Sequence, residues 1–135
     1  MIIREKYARY GLADPIALNQ QARKGVTPEI FFSFADLSRM NYTQLARLLD
    51  VHPRTIKTYK EDKKPLAPAV GEHLLKLIAL YGKGEELFGT IPEFNYWLDK
   101  PFWSSKEKPS DLLVTPGGVD LVSDEMDRLI QSYAV

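Results

Sequence analysis

The chain has no cysteine, which excludes disulfide cross-links and thiolate metal sites and leaves nothing that ties it to an oxidising compartment. Histidine is scarce too. With only His52 and His73, a zinc site would need carboxylates from elsewhere, and none is expected. No apolar run approaches the length that crosses a bilayer, and the opening MIIREKYARYGLADP lacks the hydrophobic stretch of a secretion signal, so the expected location is cytoplasmic. Sustained period-two alternation is missing, as are internal repeats and low-complexity tracts, which argues against a sheet. Glu85 and Glu86 are adjacent and diverge on a helix, Gly117 and Gly118 lack the spacing of a phosphate-cradling loop, and no nucleophile has a visible base. The chain is therefore read as a binding protein and not an enzyme, with no catalytic residue and no cofactor.

What is present is enough apolar material for one core or two small ones: 135 residues, 44% of them hydrophobic and 27% charged, which also excludes a wholly disordered chain. The charges are polarised. Residues 1–70 hold 12 Lys+Arg against 7 Asp+Glu, a net of +5, and residues 71–135 hold 6 against 11, a net of −5. A basic front half can meet phosphates while the acidic half points elsewhere.

The basic half carries the most informative segment, YTQLARLLDVHPRTIKTYK, Tyr42 to Lys60. Leu45, Ala46, Leu48 and Leu49 make the apolar face of a short helix that Thr43 can cap, and Asp50 suits the uncommon backbone angles of a turn. Val51 anchors that turn. Pro53 fits the first turn of a second helix, with Ile56 and Tyr59 facing inward and Arg54, Thr55, Lys57, Thr58 and Lys60 outward. The small Ala46 lets the two helices cross closely. This is the pattern of a helix-turn-helix whose second helix reads the major groove; the plainer reading is a helical hairpin with a solvated charged face.

Elsewhere, residues 1–26, broken by Gly11, Pro15 and Gly25, read as a loosely attached, mobile arm with one short helix. Ile30, Phe31, Phe34, Leu37 and Met40 recur at helical spacing behind Thr27 and Pro28, and this helix should support the hairpin. Leu74, Leu75, Leu77, Ile78 and Tyr81 predict a buried helix ended by Gly82, followed by a separate turn, Glu85 to Phe88. Thr90 caps a helix with Phe94, Trp97 and Leu98. Ser110 to Leu113 suit a single helical turn. Thr115 and Pro116 then open a final helix whose apolar face is Val119, Val122, Met126, Leu129 or Ile130, and Tyr133. The expected fold is all-α: an arm over 1–26, a helix-turn-helix region over 27–70 and a small helical region over 71–135.

The ordered series KGVTPE, YTQLARLLDVHPRTIKTYK, KKPL, GEHLLKLIALYGKGEELFG, NYWLDKP and PSDLLVTPGGVDLV resembles the Xre/MbcA/ParS family of antitoxins, nearest the Xre antitoxins of RES–Xre modules, over about residues 24–132. The chain departs from that family's small-residue, glycine-containing loop with FWSSKEK, Phe102 to Lys108. His52 stands where a serine cap is common.

The resemblance implies an N-terminal DNA-binding region that represses the module's own promoter. It also implies a C-terminal region, residues 71–135, that binds and neutralises a RES-type, NAD-consuming toxin, and a homodimer within the toxin–antitoxin complex. The expected DNA contacts are Thr43, Gln44, Arg54, Thr55, Lys57, Thr58 and Lys60; the expected toxin contacts are Trp103, Asp111, Leu112, Tyr133, Ala134 and Val135. Trp97 is read as core and Trp103, in a polar loop, as interface. The tail from Gln131 to Val135 is expected to enter the toxin's NAD cleft, drawn by Asp124, Glu125 and Asp127. The alternatives are a helical interaction adaptor or a stand-alone transcriptional regulator.

Overall fold

The computed structural model describes residues 2–102 and 106–133. Nine α-helices lie among them: α1 (Ile2–Lys6), α2 (Pro15–Lys24), α3 (Pro28–Ser38), α4 (Tyr42–Leu48), α5 (Pro53–Glu61), α6 (Pro68–Phe88), α7 (Ile91–Leu98), α8 (Pro109–Leu112) and α9 (Pro116–Tyr133). A 3-10 turn, Ala8–Tyr10, follows α1. No strand forms among the described residues, and a lone antiparallel bridge joins Val26 to Leu66.

The long helix α6 is the axis of the molecule, with α1, α2, α3, α7 and α9 packed against it. Its sequence permits this because apolar residues surround it: Leu74, Leu75, Leu77, Ile78, Leu80 and Tyr81 are all buried. One cluster of buried side chains runs from Ile3 through Phe31, Leu45 and Leu75 to Met126.

Gly82 does not end α6. The helix runs through Gly82 and Gly84 to Phe88 and stops at Gly89, at φ 92°. The two glycines are spaces for neighbours. A methyl on Gly84 would meet the Phe94 ring at 2.5 Å, and one on Gly82 would meet the Arg4 side chain at 3.1 Å. Close approach of α7 and α1 therefore selects glycine at a cost in helix propensity of about 1 kcal/mol each.

Residues 2–24, expected to belong to a mobile arm over 1–26, form a layer docked on α6. Pro15 starts α2 and does not break it, with Asp14 accepting from the Ile16 N–H at 2.9 Å. Ile3, Tyr7, Leu18 and Ala22 are buried. The Ile3 N–H donates to the buried Glu85 carboxylate at 3.0 Å, which satisfies a free amide of the first turn of α1. Arg4 pairs with Glu86, and Tyr7 Oη lies 2.6 Å from Ser33 Oγ.

In the second half, α7 is capped by Thr90 Oγ1, which accepts from the Glu93 N–H at 3.2 Å. Phe94 stacks on both Phe88 and Trp97, Phe88 meets Trp97 at a tilt, and Trp97 is half-buried, so this tryptophan is a packing residue. Thr115 Oγ1 accepts from the Gly118 N–H at 3.0 Å at the start of α9. Gly118 is required by the preceding turn, since a methyl there would overlap the Leu112 carbonyl at 1.7 Å. Val119, Val122 and Met126 are buried; Leu129 is half-buried and Ile130 exposed.

Candidate nucleic-acid interface

Helices α3, α4 and α5 form a compact unit whose inner surface is Phe31, Phe34, Leu45, Ala46, Leu49 and Ile56, all buried. The start of α4 is capped by Asn41 and not by Thr43. Asn41 Oδ1 accepts from the Gln44 N–H at 2.7 Å, and Gln44 Oε1 accepts from the Asn41 N–H at 2.9 Å. This reciprocal pair is a capping box, and it holds Gln44 while leaving Thr43 free on the surface.

The turn closes through the Val51 N–H, which donates to the Ala46 carbonyl at 3.0 Å, and through Asp50 at φ 55°. Asp tolerates that left-handed angle better than most side chains. Ala46 is fully buried at this crossing, as a close helix contact demands. His52 caps α5: its Nδ1 accepts from the Arg54 N–H at 3.1 Å, so imidazole serves where a hydroxyl is more usual. The base of the unit is fastened where the Leu66 N–H donates to the Val26 carbonyl at 2.8 Å.

The outward residues of α5 are Arg54, Thr55, Lys57, Thr58 and Lys60, all exposed, as are Thr43 and Gln44 on α4. His52, Arg54, Thr55, Thr58 and Tyr59 line an open, shallow depression. Among the described residues no carboxylate pairs with Arg47, Arg54, Lys57, Lys60, Lys63 or Lys64; the five ion pairs there all join residues outside this unit. Unpaired cations on a rigid helix are available to phosphates or to guanine edges. Lys60 differs from the rest in resting its ammonium over the Phe32 ring, 4.8 Å from the centroid. Phe32 and Tyr42 were not legible as part of this surface; an aromatic opening α4 is the one signal that could have marked them.

The C-terminal candidates are less closely grouped. Asp111 is exposed, but one of its oxygens accepts from the Lys108 N–H at 2.9 Å and so closes the first turn of α8. Leu112 is half-buried and leans on the core. Trp103, Ala134, Val135 and the Tyr133 side chain lie outside the described residues. On α9, Asp120 pairs with Lys76 at 2.8 Å and Asp127 with Lys83 at 2.6 Å, fastening α9 to α6. Glu125 pairs within the helix with Arg128 at 3.1 Å. Of the three acids expected to attract a partner's cations, two are thus committed internally, and only Asp124 faces solvent without an ion pair.

Neither histidine sits in a cluster that could hold a metal ion among the described residues. His73 is buried, its Nε2 2.8 Å from the Leu113 carbonyl, and burial lowers its pKa below the ordinary value of 6.5.

A short supporting helix, a capped helix, a tight turn and a cation-rimmed second helix together define a helix-turn-helix protein. In a comparison with known domains, residues 17–79, from within α2 to within α6, match the antitoxin Xre-like helix-turn-helix domain. The chain therefore carries an Xre-like domain of the kind found in DNA-binding antitoxins. A search of curated proteins returned no match. No helix among the described residues is long and apolar enough to cross a membrane.

Proposed function

We propose that this protein is the antitoxin of a type II toxin–antitoxin module, acting as a homodimer that represses its own promoter and neutralises a RES-type, NAD-consuming toxin. The observation that carries the reading is the ridge of unpaired Arg54, Lys57 and Lys60 on the second helix of an antitoxin Xre-like domain. Arg54 with Thr55 and Thr58 faces base edges, and the lysines meet phosphates. Two such helices in a dimer, about 34 Å apart, imply an inverted-repeat operator.

The C-terminal helices supply the toxin-binding surface in this reading. Trp103 and the 111–112 turn provide contacts, and the tail Tyr133, Ala134 and Val135 enters the toxin's cleft, with Asp124 on α9 as an acid free of ion pairs among the described residues. The adaptor alternative draws on Glu61 and Asp62, exposed between Lys60 and Lys63, which dilute the basic patch.

Binding to the DNA upstream of the gene, measured against salt, tests the first half. Affinity should fall steeply with salt for that duplex, and absence of any shift at low salt refutes promoter repression. Co-expression with the neighbouring open reading frame tests the second. Co-purification and rescue of growth are expected, and unchanged inhibition on deleting residues 132–135 removes the role of the tail.

A further inference from the structure

Phe32 sits at the middle of α3 but is not needed to fill the interior, because its neighbours Phe31 and Phe34 are fully buried and Phe32 is only half-buried. Its ring meets two groups from different helices. The Tyr42 ring, at the first residue of α4, contacts it in a T-shaped arrangement at 5.0 Å and 84°. The Lys60 ammonium, from the last turn of α5, lies 4.8 Å from its centroid. Tyr42 is 44% exposed. Its hydroxyl has no hydrogen-bond partner among the described residues, and the Lys60 ammonium has neither a hydrogen bond nor an ion pair there.

A core tyrosine would bury its ring and bond its hydroxyl, as Tyr81 does with Asn95 at 2.8 Å. A solvated lysine would keep its rotamers free, whereas this one is drawn over the ring face. Two donors from the two helices of the hairpin are thus held against one aromatic ring, and neither polar tip has a protein partner among the described residues.

The geometry points to a backbone clamp in which Tyr42 Oη and Lys60 Nζ grip phosphate oxygens of one DNA strand, with Phe32 as the positioning residue that fixes both. It rests on the DNA-binding reading above and adds its second component, a sequence-independent contact that sets the register of Arg54 over the bases. Phosphate oxygens are the fitting ligand because they accept from a neutral hydroxyl and from an ammonium alike, and a duplex presents them at regular intervals beside the major groove. Lys60 contributes charge and counterion release; Tyr42 contributes direction without charge.

The test compares a duplex from upstream of the gene with a random-sequence duplex of equal length, each titrated at several salt concentrations. Tyr42→Phe, which keeps the ring, should weaken both duplexes by a similar factor, about three- to tenfold, and leave the salt slope unchanged because no charge is lost. Lys60→Ala should lower the slope by about one. In a Phe32→Leu background, the loss caused by Lys60→Ala should shrink at least about threefold, since the lysine is no longer held.

Wild-type affinity in Tyr42→Phe, or strict additivity of Phe32→Leu with Lys60→Ala, overturns the clamp while leaving DNA binding intact. If Phe32→Leu does not fold, Tyr42→Phe alone decides. A wild-type protein that binds neither duplex at low salt refutes the parent reading, and the clamp with it.

Discussion

The Tyr81 hydroxyl donates to Asn95 Oδ1 at 2.8 Å, and Asn95 Nδ2 in turn donates to the Ser38 carbonyl at 3.0 Å. Ser38 is the last residue of α3, so Asn95 satisfies one of the free carbonyls at the end of that helix. The Tyr81 ring lies edge-on between Phe34 at 5.3 Å and Phe94 at 4.9 Å, and its burial pushes the phenol pKa up. A polar chain through the aromatic core therefore connects the helix that supports the hairpin to the axial helix and to α7. Asn95→Ala leaves a buried hydroxyl and a helix-end carbonyl without partners, and should cost about 1–3 kcal/mol in urea unfolding. Tyr81→Phe should cost less, because Asn95 keeps its second bond. Equal costs for the two would mean that the link to Ser38 contributes little.

Glycine-to-alanine exchange should give opposite signs at two positions. Gly84→Ala drives a methyl into the Phe94 ring, so the variant should lose at least about 1–3 kcal/mol as the core is overpacked. Gly117→Ala, in the first turn of α9 with open space around it, should gain about 0.4–1 kcal/mol by restricting the unfolded chain. Denaturant midpoints of both variants measure this directly.

His73 predicts a pH dependence of stability. Its pKa in the folded protein lies below 6.5 because burial disfavours the cation, so the unfolded chain binds the proton more readily than the native one. The contribution of this group is complete above about pH 6.5 and is lost progressively as pH falls from there towards the lowered folded value. The difference in stability between wild type and His73→Gln, followed from neutral to mildly acid pH, should narrow as pH falls. A constant difference would show that the buried imidazole does not titrate with folding.

Arg54 and Lys60 should separate base reading from backbone attachment. Arg54→Ala is expected to relax the preference for the upstream duplex over a random one, whereas Lys60→Ala should weaken both by the same factor. Competition binding with the two duplexes checks this. Equal effects of both variants on both duplexes would contradict the division of roles.

Much of the helix-turn-helix was legible because its determinants are local. Pro53 at a helix start, Asp50 in the left-handed turn and Ala46 at the crossing each act within a few residues of chain. The caps were read less accurately. Asn41, not Thr43, closes α4, a choice made by the reciprocal bond with Gln44. The N-terminal layer was not legible, since Gly11 and Pro15 punctuate it as they would a loop. Its hold on α6 comes from Ile3 against Glu85 and Gly82, which lie more than seventy residues further along the sequence.

The amino-acid sequence alone determined the all-helical class, the hairpin and its outward cations, because hydrophobic period, helix starts and charge are properties of neighbouring residues. Tertiary structure alone decided that residues 2–24 dock on α6, that the acids of α9 are largely consumed by Lys76, Lys83 and Arg128, and that Phe32 gathers Tyr42 and Lys60. Those outcomes depend on which distant side chains come within a few ångströms of one another. Packing a shared core settles that, and no local pattern encodes it.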